Sequence, residues 1–139
     1  VERTEKYVAA EGLSDRIDTF PGDMREGGFG KDFDLVFISA IIHIFSPDVN
    51  RDILRRAAEA LAPGGQLVVV EFLMGENRIE PAFGALFALN MLVNTTAGDT
   101  YTEGEIRSWM EEAGTEPGYL VEWPDEGDSA DAGEAGGER

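Results

Sequence analysis

The chain has 139 residues, of which 42% are hydrophobic and 28% charged, and this composition suits one globular domain with a buried core. Its 28 Asp and Glu outnumber its 11 Lys and Arg, and the net charge of −17 argues against nucleic acid or an anionic membrane as a partner, because both need a positive surface. The sequence has no Cys and one His, which excludes disulfides, thiolate catalysis and Cys- or His-rich metal sites. It has no signal peptide and no apolar run near the ~18 residues that a membrane helix needs, so we expect a cytoplasmic protein.

The first part of the chain is predicted to hold one helix and one strand. Residues 2–11 favour a helix that ends at Gly12, in the C′ position, with Leu13 after it. Residues 16–20 (RIDTF) are predicted to form a short strand that ends at the Pro-Gly pair that follows. Residues 23–33 are polar and rich in Gly, which predicts a loop.

The middle of the chain is predicted to hold two buried strands joined by a helix. Residues 34–42 (DLVFISAII) are almost continuously apolar, as in a strand buried on both faces. Ser46 and Pro47 are typical N-cap and N1 residues of the next helix, which keeps one apolar face and stops at the Pro-Gly-Gly of 63–65. Residues 66–73 (QLVVVEFL) repeat the pattern of a buried strand.

Two more helices and a strand are predicted after that. Residues 81–93 favour a helix that is apolar nearly all round, so one face packs in the core and the other must meet a substrate or a partner. Thr102 and Glu105 form a capping box at the start of the second helix, which Gly114 ends. Its predicted buried face carries Ile106, Trp109 and Met110. Residues 119–123 predict a strand.

The C-terminal segment 125–139 has no large apolar side chain, so we predict a disordered acidic tail after a domain of residues 1–124. The segment holds six acids and one Arg, and most of the negative charge therefore lies in the domain. Only two of the 11 basic residues are Lys. An acidic, Lys-poor surface is typical of proteins from organisms with high internal salt, because molar salt screens charges over about 3 Å. The alternative is an ordinary domain with an acidic tail.

Apolar strands that alternate with helices predict an α/β fold with a parallel sheet. In such sheets, ligands bind beyond the carboxyl ends of the strands, at a switch in strand order. We therefore expect any chemistry just after Phe20, Ile42 and Leu73.

Candidate side chains follow the first two of these strands. The carboxylate of Asp23 could accept a hydrogen bond from an exocyclic amine, and Met24 could lie against a flat ring, although Pro-Gly-Asp is also ordinary turn chemistry. His43 is the only side chain with an ordinary pKa near neutrality, which makes it the candidate general base. The alternative for His43 is a structural histidine near a helix start.

Two further candidate positions lie on the third strand and on the helix 81–93. Glu71 stands in an apolar run, where a carboxylate is costly unless it is paired, so it could orient an imidazole. Its alternative is an acid at a strand end that reaches solvent. Asn90, Met91 and Asn94 could hold a flat substrate, or they could be ordinary core and helix-end residues.

Four stretches together resemble the C-terminal half of a small-molecule O-methyltransferase of the class I S-adenosylmethionine-dependent family, which includes the caffeate, acetylserotonin and polyketide types. They are AAEGLSDRIDTFPGDM, DFDLVFISAIIHIFSPD, LRRAAEALAPGGQLVVVEFL and ALNMLVNTTAGDTYTEGEIRSWMEEAG. Each is moderately specific alone, and their order and spacing are specific together. The resemblance covers nearly all of residues 5–114.

The resemblance implies S-adenosylmethionine as the cofactor and a small, flat, hydrophobic hydroxylated molecule as the acceptor. It implies that His43 removes the acceptor's hydroxyl proton and that Glu71 orients His43. On the cofactor side it implies that Asp23 and Met24 hold the adenine and that Ser39 and Phe45 border the cofactor. Met91 and Asn94 match the acceptor-binding helix. The match at Ser39 is loose because plant members have Lys there, and Thr100 stands where they have a second acid.

The family's Gly-rich loop and its first two strands have no counterpart in the sequence, since residues 27–30 lie in a loop and not at a strand–helix junction. The expected fold is therefore an incomplete Rossmann-like methyltransferase sheet. Such a sheet exposes backbone edges, so we expect a chain that is poorly stable, rearranged, or dependent on a second copy or a missing N-terminal half. An alternative to the enzyme is a non-catalytic remnant or interaction module of the same fold. A weaker alternative is another nucleotide-binding domain, such as a dehydrogenase.

Overall fold

The computed structural model describes residues 1–115. Its helices are α1 (Glu2–Ala10), α2 (Pro47–Glu59), α3 (Ala82–Asn94) and α4 (Glu103–Glu112), and a 3₁₀ helix spans Ile42–Ile44. Its strands are β1 (Phe33–Ser39), β2 (Leu61–Val70), β3 (Leu73–Met74) and β4 (Tyr101–Thr102). The predicted strand 119–123 and the predicted tail lie outside the described residues. Within residues 1–115, no helix has the length and apolar character needed to cross a bilayer.

The predicted helix boundaries at Gly12, Ser46 and Thr102 are confirmed by their hydrogen bonds, whereas α2 ends at Glu59 and not at the predicted Pro-Gly-Gly of 63–65. After α1, Gly12 has φ +68° and its N–H donates to Ala9, while Leu13 N–H donates to Val8. These two bonds form a Schellman motif, which satisfies carbonyls at the end of the helix. At α4 the capping box between Thr102 and Glu105 forms in both directions. Ser46 likewise caps α2 by accepting from a backbone N–H of its first turn.

The strands of residues 1–115 form two separate two-stranded sheets, each of them parallel, in keeping with an α/β fold. β1 pairs with β2 in parallel, and β3 pairs with β4 in parallel. β2 begins earlier than predicted, at Leu61, and the register shifts between Phe33 and Leu35. Gly65 lies in this irregular stretch, where an added Cβ would come 2.7 Å from the carbonyl oxygen of Phe33. The Pro-Gly-Gly sequence therefore forms an irregularity inside the pair, rather than a loop before it.

The predicted strand 16–20 is wrong. These residues adopt turn and irregular backbone, and Phe20 is 93% exposed. A strand needs a neighbour for its N–H and C=O groups, and no strand lies beside this segment among residues 1–115. The predicted strand 34–42 is also too long, because Ala40 has φ +49° and turns the chain into the 3₁₀ helix.

The prediction that β1 is buried on both faces is wrong as well. Ile38 is buried, but Leu35 is 53% exposed and Phe37 is 58% exposed. The core covers one face of the strand only, and no described element covers the other. This core joins β1 and the 3₁₀ helix to three neighbouring elements through buried residues: Ile38, Ile42, Ile53, Leu54, Ala57, Tyr101, Ile106 and Trp109.

α3 has the two unlike faces that its sequence predicts. Only Gly84 and Met91 are buried on this helix. Its outer face exposes large apolar side chains: Phe83, Leu86, Leu89, Leu92 and Val93.

Candidate functional site

A buried histidine–carboxylate pair lies just beyond the carboxyl ends of β1 and β2. His43 Nδ1 is 2.8 Å from Glu71 Oε1, and the side chains are 11% and 1% exposed, respectively. The two strands are parallel and in register up to Ser39 and Val70, so the residues that follow them meet at the same edge of the sheet. The alternative in which Glu71 reaches solvent is therefore wrong.

The surroundings of Glu71 fix the tautomer of His43. Glu71 Oε1 also accepts from the N–H of Phe72 at 2.9 Å, and Oε2 accepts from the His43 backbone N–H at 3.4 Å. An ionised carboxylate only accepts, so the proton of a neutral imidazole lies on Nδ1 and the lone pair on Nε2. Within residues 1–115 no hydrogen-bond partner occupies Nε2. The ring can therefore accept a proton at Nε2 while Glu71 stabilises the resulting positive charge.

Three phenylalanines stand beside this pair. The rings of His43 and Phe87 meet edge-to-face with centroids 4.9 Å apart. Phe72 lies 5.0 Å from Phe87 and 5.2 Å from Phe83, centroid to centroid. Our sequence analysis did not single out these residues, although Phe83 and Phe87 are spaced i, i+4 on α3 and Phe72 follows Glu71 directly. They place an aromatic surface next to the candidate base.

The 3₁₀ helix that carries His43 is held by side chains outside the pair. The Nδ2 group of Asn50 on α2 donates to the carbonyls of Ile42 at 3.0 Å and Phe45 at 3.4 Å. The Tyr101 hydroxyl also donates to the Phe45 carbonyl. Sequence analysis missed Asn50, which is fully buried; its position three and four residues before Ile53 and Leu54, on the apolar face of α2, is the signal that could have identified it.

A second contact fixes the carbonyl of His43 itself. The Asp99 N–H donates to it at 3.0 Å. Gly98 passes so close that an added Cβ would lie 2.3 Å from the same oxygen, so only glycine fits there. The backbone of His43 is therefore fixed from the loop after α3.

Two of the predicted cofactor residues line one groove. Met24 and Ser39 both border an open, mainly apolar groove of about 520 Å³ along β1, whose other walls include Phe29, Phe37 and Ala57. Apolar walls of this kind suit a flat heteroaromatic ring. Phe45 is not among the residues that line this groove; it packs against the core.

Asp23 precedes Met24 in the chain but is not among the residues that line the groove, and it is already paired. Its carboxylate accepts from Arg25 Nε and Nη2 at distances of 2.5–3.1 Å, and from the Arg25 backbone N–H at 2.9 Å. These hydrogen bonds from Arg25 lower the pKa of Asp23 to about 2. The group is therefore an ionised acceptor at neutral pH, and an incoming amine would share it with Arg25.

The predicted acceptor residues lie at the end of α3. Met91 is buried, and its carbonyl accepts from Thr95. Asn94 is exposed and donates to Asn90 one turn earlier on the same helix. The structure thus gives Asn94 a partner on its own helix and places Met91 in the interior.

Comparison with known proteins shows extended similarity to methyltransferases. The chain is 36% identical over 107 residues to a 3-hydroxy-5-methyl-1-naphthoate 3-O-methyltransferase of Streptomyces sahachiroi, a match that covers 77% of this chain and 31% of the relative. It is 33% identical over 121 residues to an L-tyrosine C(3)-methyltransferase of Streptomyces lavendulae, covering 86% and 32%. The structure of the methyltransferase PigF of a Serratia species with S-adenosylhomocysteine superposes with a TM-score of 0.72 at 30% identity, covering 79% of this chain and 33% of PigF.

The chain spans about a third of the length of these relatives. The sequence profile of the O-methyltransferase domain family matches residues 1–116, nearly all of the predicted domain. The superposition supports the predicted Rossmann-like methyltransferase fold in incomplete form. The chain therefore belongs to the O-methyltransferase domain family.

Proposed function

We propose that the protein is an S-adenosylmethionine-dependent O-methyltransferase that methylates a hydroxyl group of a small aromatic molecule, with His43 as the general base. The observation that carries this proposal is the buried His43–Glu71 pair, in which Nε2 has no hydrogen-bond partner among residues 1–115 and the imidazole lies beside an aromatic surface.

Each residue of the pair has a defined part in the proposed reaction. Glu71 holds the Nδ1 proton and keeps the imidazole in one orientation. His43 Nε2 accepts the proton of the acceptor hydroxyl, so the oxygen becomes nucleophilic where it is held. Phe87 packs edge-to-face against the imidazole, and the exposed rings of Phe72 and Phe83 offer faces on which a flat acceptor can stack, which favours close approach of its hydroxyl group. When bound, S-adenosylmethionine supplies the electrophilic methyl group.

The groove on β1 is the proposed place for the adenine end of the cofactor. Met24 and the apolar walls fit a flat ring, Ser39 offers a hydroxyl, and Asp23 offers an ionised acceptor. The residues present therefore fit this end of the molecule. Residues 1–115 offer no Gly-rich strand–helix junction for the remainder of the cofactor.

The relatives support an aromatic acceptor, but they differ in which atom of the acceptor receives the methyl group. One is named for transfer to an oxygen of a hydroxynaphthoate, and another for transfer to a carbon of tyrosine. A base that removes a phenolic proton activates both the oxygen and the ring carbon beside it. Product analysis after transfer of a labelled methyl group would distinguish an ether from a carbon–methyl bond.

Calorimetric titration of the chain with S-adenosylhomocysteine, at low and at molar salt, tests the proposal. We expect saturable micromolar binding that Asp23→Asn weakens, while Asp18→Asn, a change to another exposed acid, leaves it unaltered. No binding by a chain shown to be folded would favour the alternative of a non-catalytic module without a working cofactor site.

A further inference from the structure

Arg56 on α2 makes an unusual set of contacts with the loop that carries Met24. Its side chain is only 11% exposed. Nε donates to Asp52 at 2.8 Å, Nη1 to the carbonyl of Gly27 at 2.6 Å and Nη2 to the carbonyl of Met24 at 2.5 Å. All three guanidinium nitrogens are therefore used, and two of them hold backbone of the loop.

An aromatic contact adds to these hydrogen bonds. The guanidinium carbon of Arg56 lies 4.9 Å from the centroid of the Phe29 ring. Met24 and Phe29 both line the groove on β1. In the described part of the chain, the remaining hydrogen bonds of the loop are local to it, such as Glu26 N–H to the Asp23 carbonyl at 2.9 Å. Arg56 is thus the side chain that ties this wall of the groove to α2.

We propose that Arg56 is a positioning residue that holds loop 24–29 against α2 and thereby sets the affinity of the groove for the adenosyl part of the cofactor. This inference rests on the proposed function. A Lys in its place would keep the positive charge but offer a single nitrogen. One nitrogen cannot contact the two carbonyls and the carboxylate that the three nitrogens of the planar guanidinium reach together.

Arg55 provides a matched control on the next position of the same helix. Its side chain is 49% exposed, and among residues 1–115 it pairs within α2 alone, with Asp52 at 2.6 Å and Glu59 at 2.5 Å. Both arginines touch Asp52, so replacing either one disturbs that carboxylate. Only Arg56 contacts the loop.

The test compares Arg56→Lys and Arg56→Gln with Arg55→Lys and Arg55→Gln in the 139-residue chain. Hydrogen exchange followed by mass spectrometry should show faster exchange of amides 24–30 in both Arg56 variants, with α4 unchanged. The dissociation constant for S-adenosylhomocysteine should rise about tenfold in Arg56→Lys and further in Arg56→Gln. Both Arg55 variants should match the parent chain in exchange and in affinity.

Separate outcomes identify the possible failures. A merely structural role would lower the melting temperature but leave the affinity unchanged well below melting, and that result would overturn the proposal. Equal exchange of amides 24–30 in the Arg55 and Arg56 variants would overturn it too. If the parent chain does not bind S-adenosylhomocysteine, the proposed function fails, and so does the claim that Arg56 sets the affinity. Hydrogen exchange would still show whether Arg56 holds the loop.

Discussion

The burial of Glu71 is explained by the groups around it. A carboxylate that is 1% exposed loses its hydration, which costs several kcal/mol unless hydrogen bonds replace it. Here the imidazole of His43 and two backbone N–H groups donate to its oxygens. Sequence analysis could identify Glu71 as anomalous because it stands in an apolar run, but the partner follows only from the strand register.

Replacing Glu71 with Gln tests whether the pair acts in proton transfer. The amide keeps the size of the side chain but removes the charge that stabilises the imidazolium, so methyl transfer should fall by about 10–10³-fold, against about 10²–10⁴-fold for His43→Ala. Transfer of a labelled methyl group is measured, and S-adenosylhomocysteine affinity should stay unchanged. Glu111→Gln, an exposed acid on α4, is the control. Full transfer by Glu71→Gln would assign the pair a structural role.

Tyr101 gives a prediction about stability and pH. Burial, with the charges of Asp99 and Glu105 nearby, raises the pKa of Tyr101 to about 12. The unfolded chain ionises this phenol near pH 10 and the folded chain only near pH 12, so the unfolded state binds fewer protons in between. Stability from the neutral hydroxyl is therefore complete below pH 10 and declines as the pH rises toward 12.

Urea unfolding of Tyr101→Phe at pH 8 and pH 11 measures this effect. At pH 8 the variant should be less stable by about 1 kcal/mol, because it loses the hydrogen bond to Phe45. At pH 11 the difference should shrink, since only the parent has this phenol to ionise on unfolding. A difference that stays constant between the two pH values would contradict the shifted pKa.

At the scale of elements, local sequence signals predicted the helices, whereas strand formation depended on pairing with residues distant in the sequence. The caps at Ser46, Thr102 and Gly114 depend on neighbouring residues, and all three are confirmed. The segment 16–20 has strand-like residues, but a strand needs a partner, and a local pattern carries no information about one. For the same reason the apolar run of β1 indicated burial on two faces when only one is covered.

The contact between α2 and the 3₁₀ helix predicts that activity can be lost with little loss of stability. Asn50→Leu removes two hydrogen bonds but also a buried Oδ1 that has no partner within residues 1–115. Unfolding free energy should therefore fall by only about 1 kcal/mol. Methyl transfer should fall about tenfold, because α2 no longer holds the segment Ile42–Phe45 that carries His43, although the contacts from Tyr101 and Asp99 remain.

Ile53→Val is the matched control for this prediction. It lies on the same buried face of α2 and should cost about 0.5–1.5 kcal/mol without removing a hydrogen bond to the 3₁₀ helix. Its transfer rate at 25 °C should match that of the parent. If both variants lose transfer to the same degree, the effect of Asn50 is one of general stability.

At the scale of the whole molecule, two apolar surfaces are left uncovered among the described residues. One is the outer face of β1 with Leu35 and Phe37, which also line the groove proposed for the cofactor, and the other is the outer face of α3. The relatives are about three times as long as this chain. The predicted second copy or N-terminal half that would cover such surfaces stays a prediction, as do the cytoplasmic location and the origin in a high-salt organism.

The net charge of −17 predicts that moderate salt stabilises the chain. Repulsion among 28 acids opposes compaction, and only 11 basic residues offset it. The ion pairs are mostly exposed, such as Arg55 with Glu59 and Arg51 with Asp48. Exposed pairs contribute little to the free energy of unfolding, so little stability is lost when salt screens them. Raising KCl from 0.01 M to 0.5 M should therefore raise the melting temperature, by roughly 4 °C for each 1 kcal/mol gained.

The shape of the salt response separates screening from a general strengthening of apolar burial. Screening saturates within a few hundred millimolar, because the Debye length falls from about 30 Å at 0.01 M to about 10 Å at 0.1 M. Stronger apolar burial continues to grow into the molar range. A variant with Glu2, Glu11, Asp18 and Glu111 changed to the amides carries less charge, so the early rise should be smaller and the later one unaltered. A melting temperature that falls with added salt would mean that the ion pairs outweigh the repulsion.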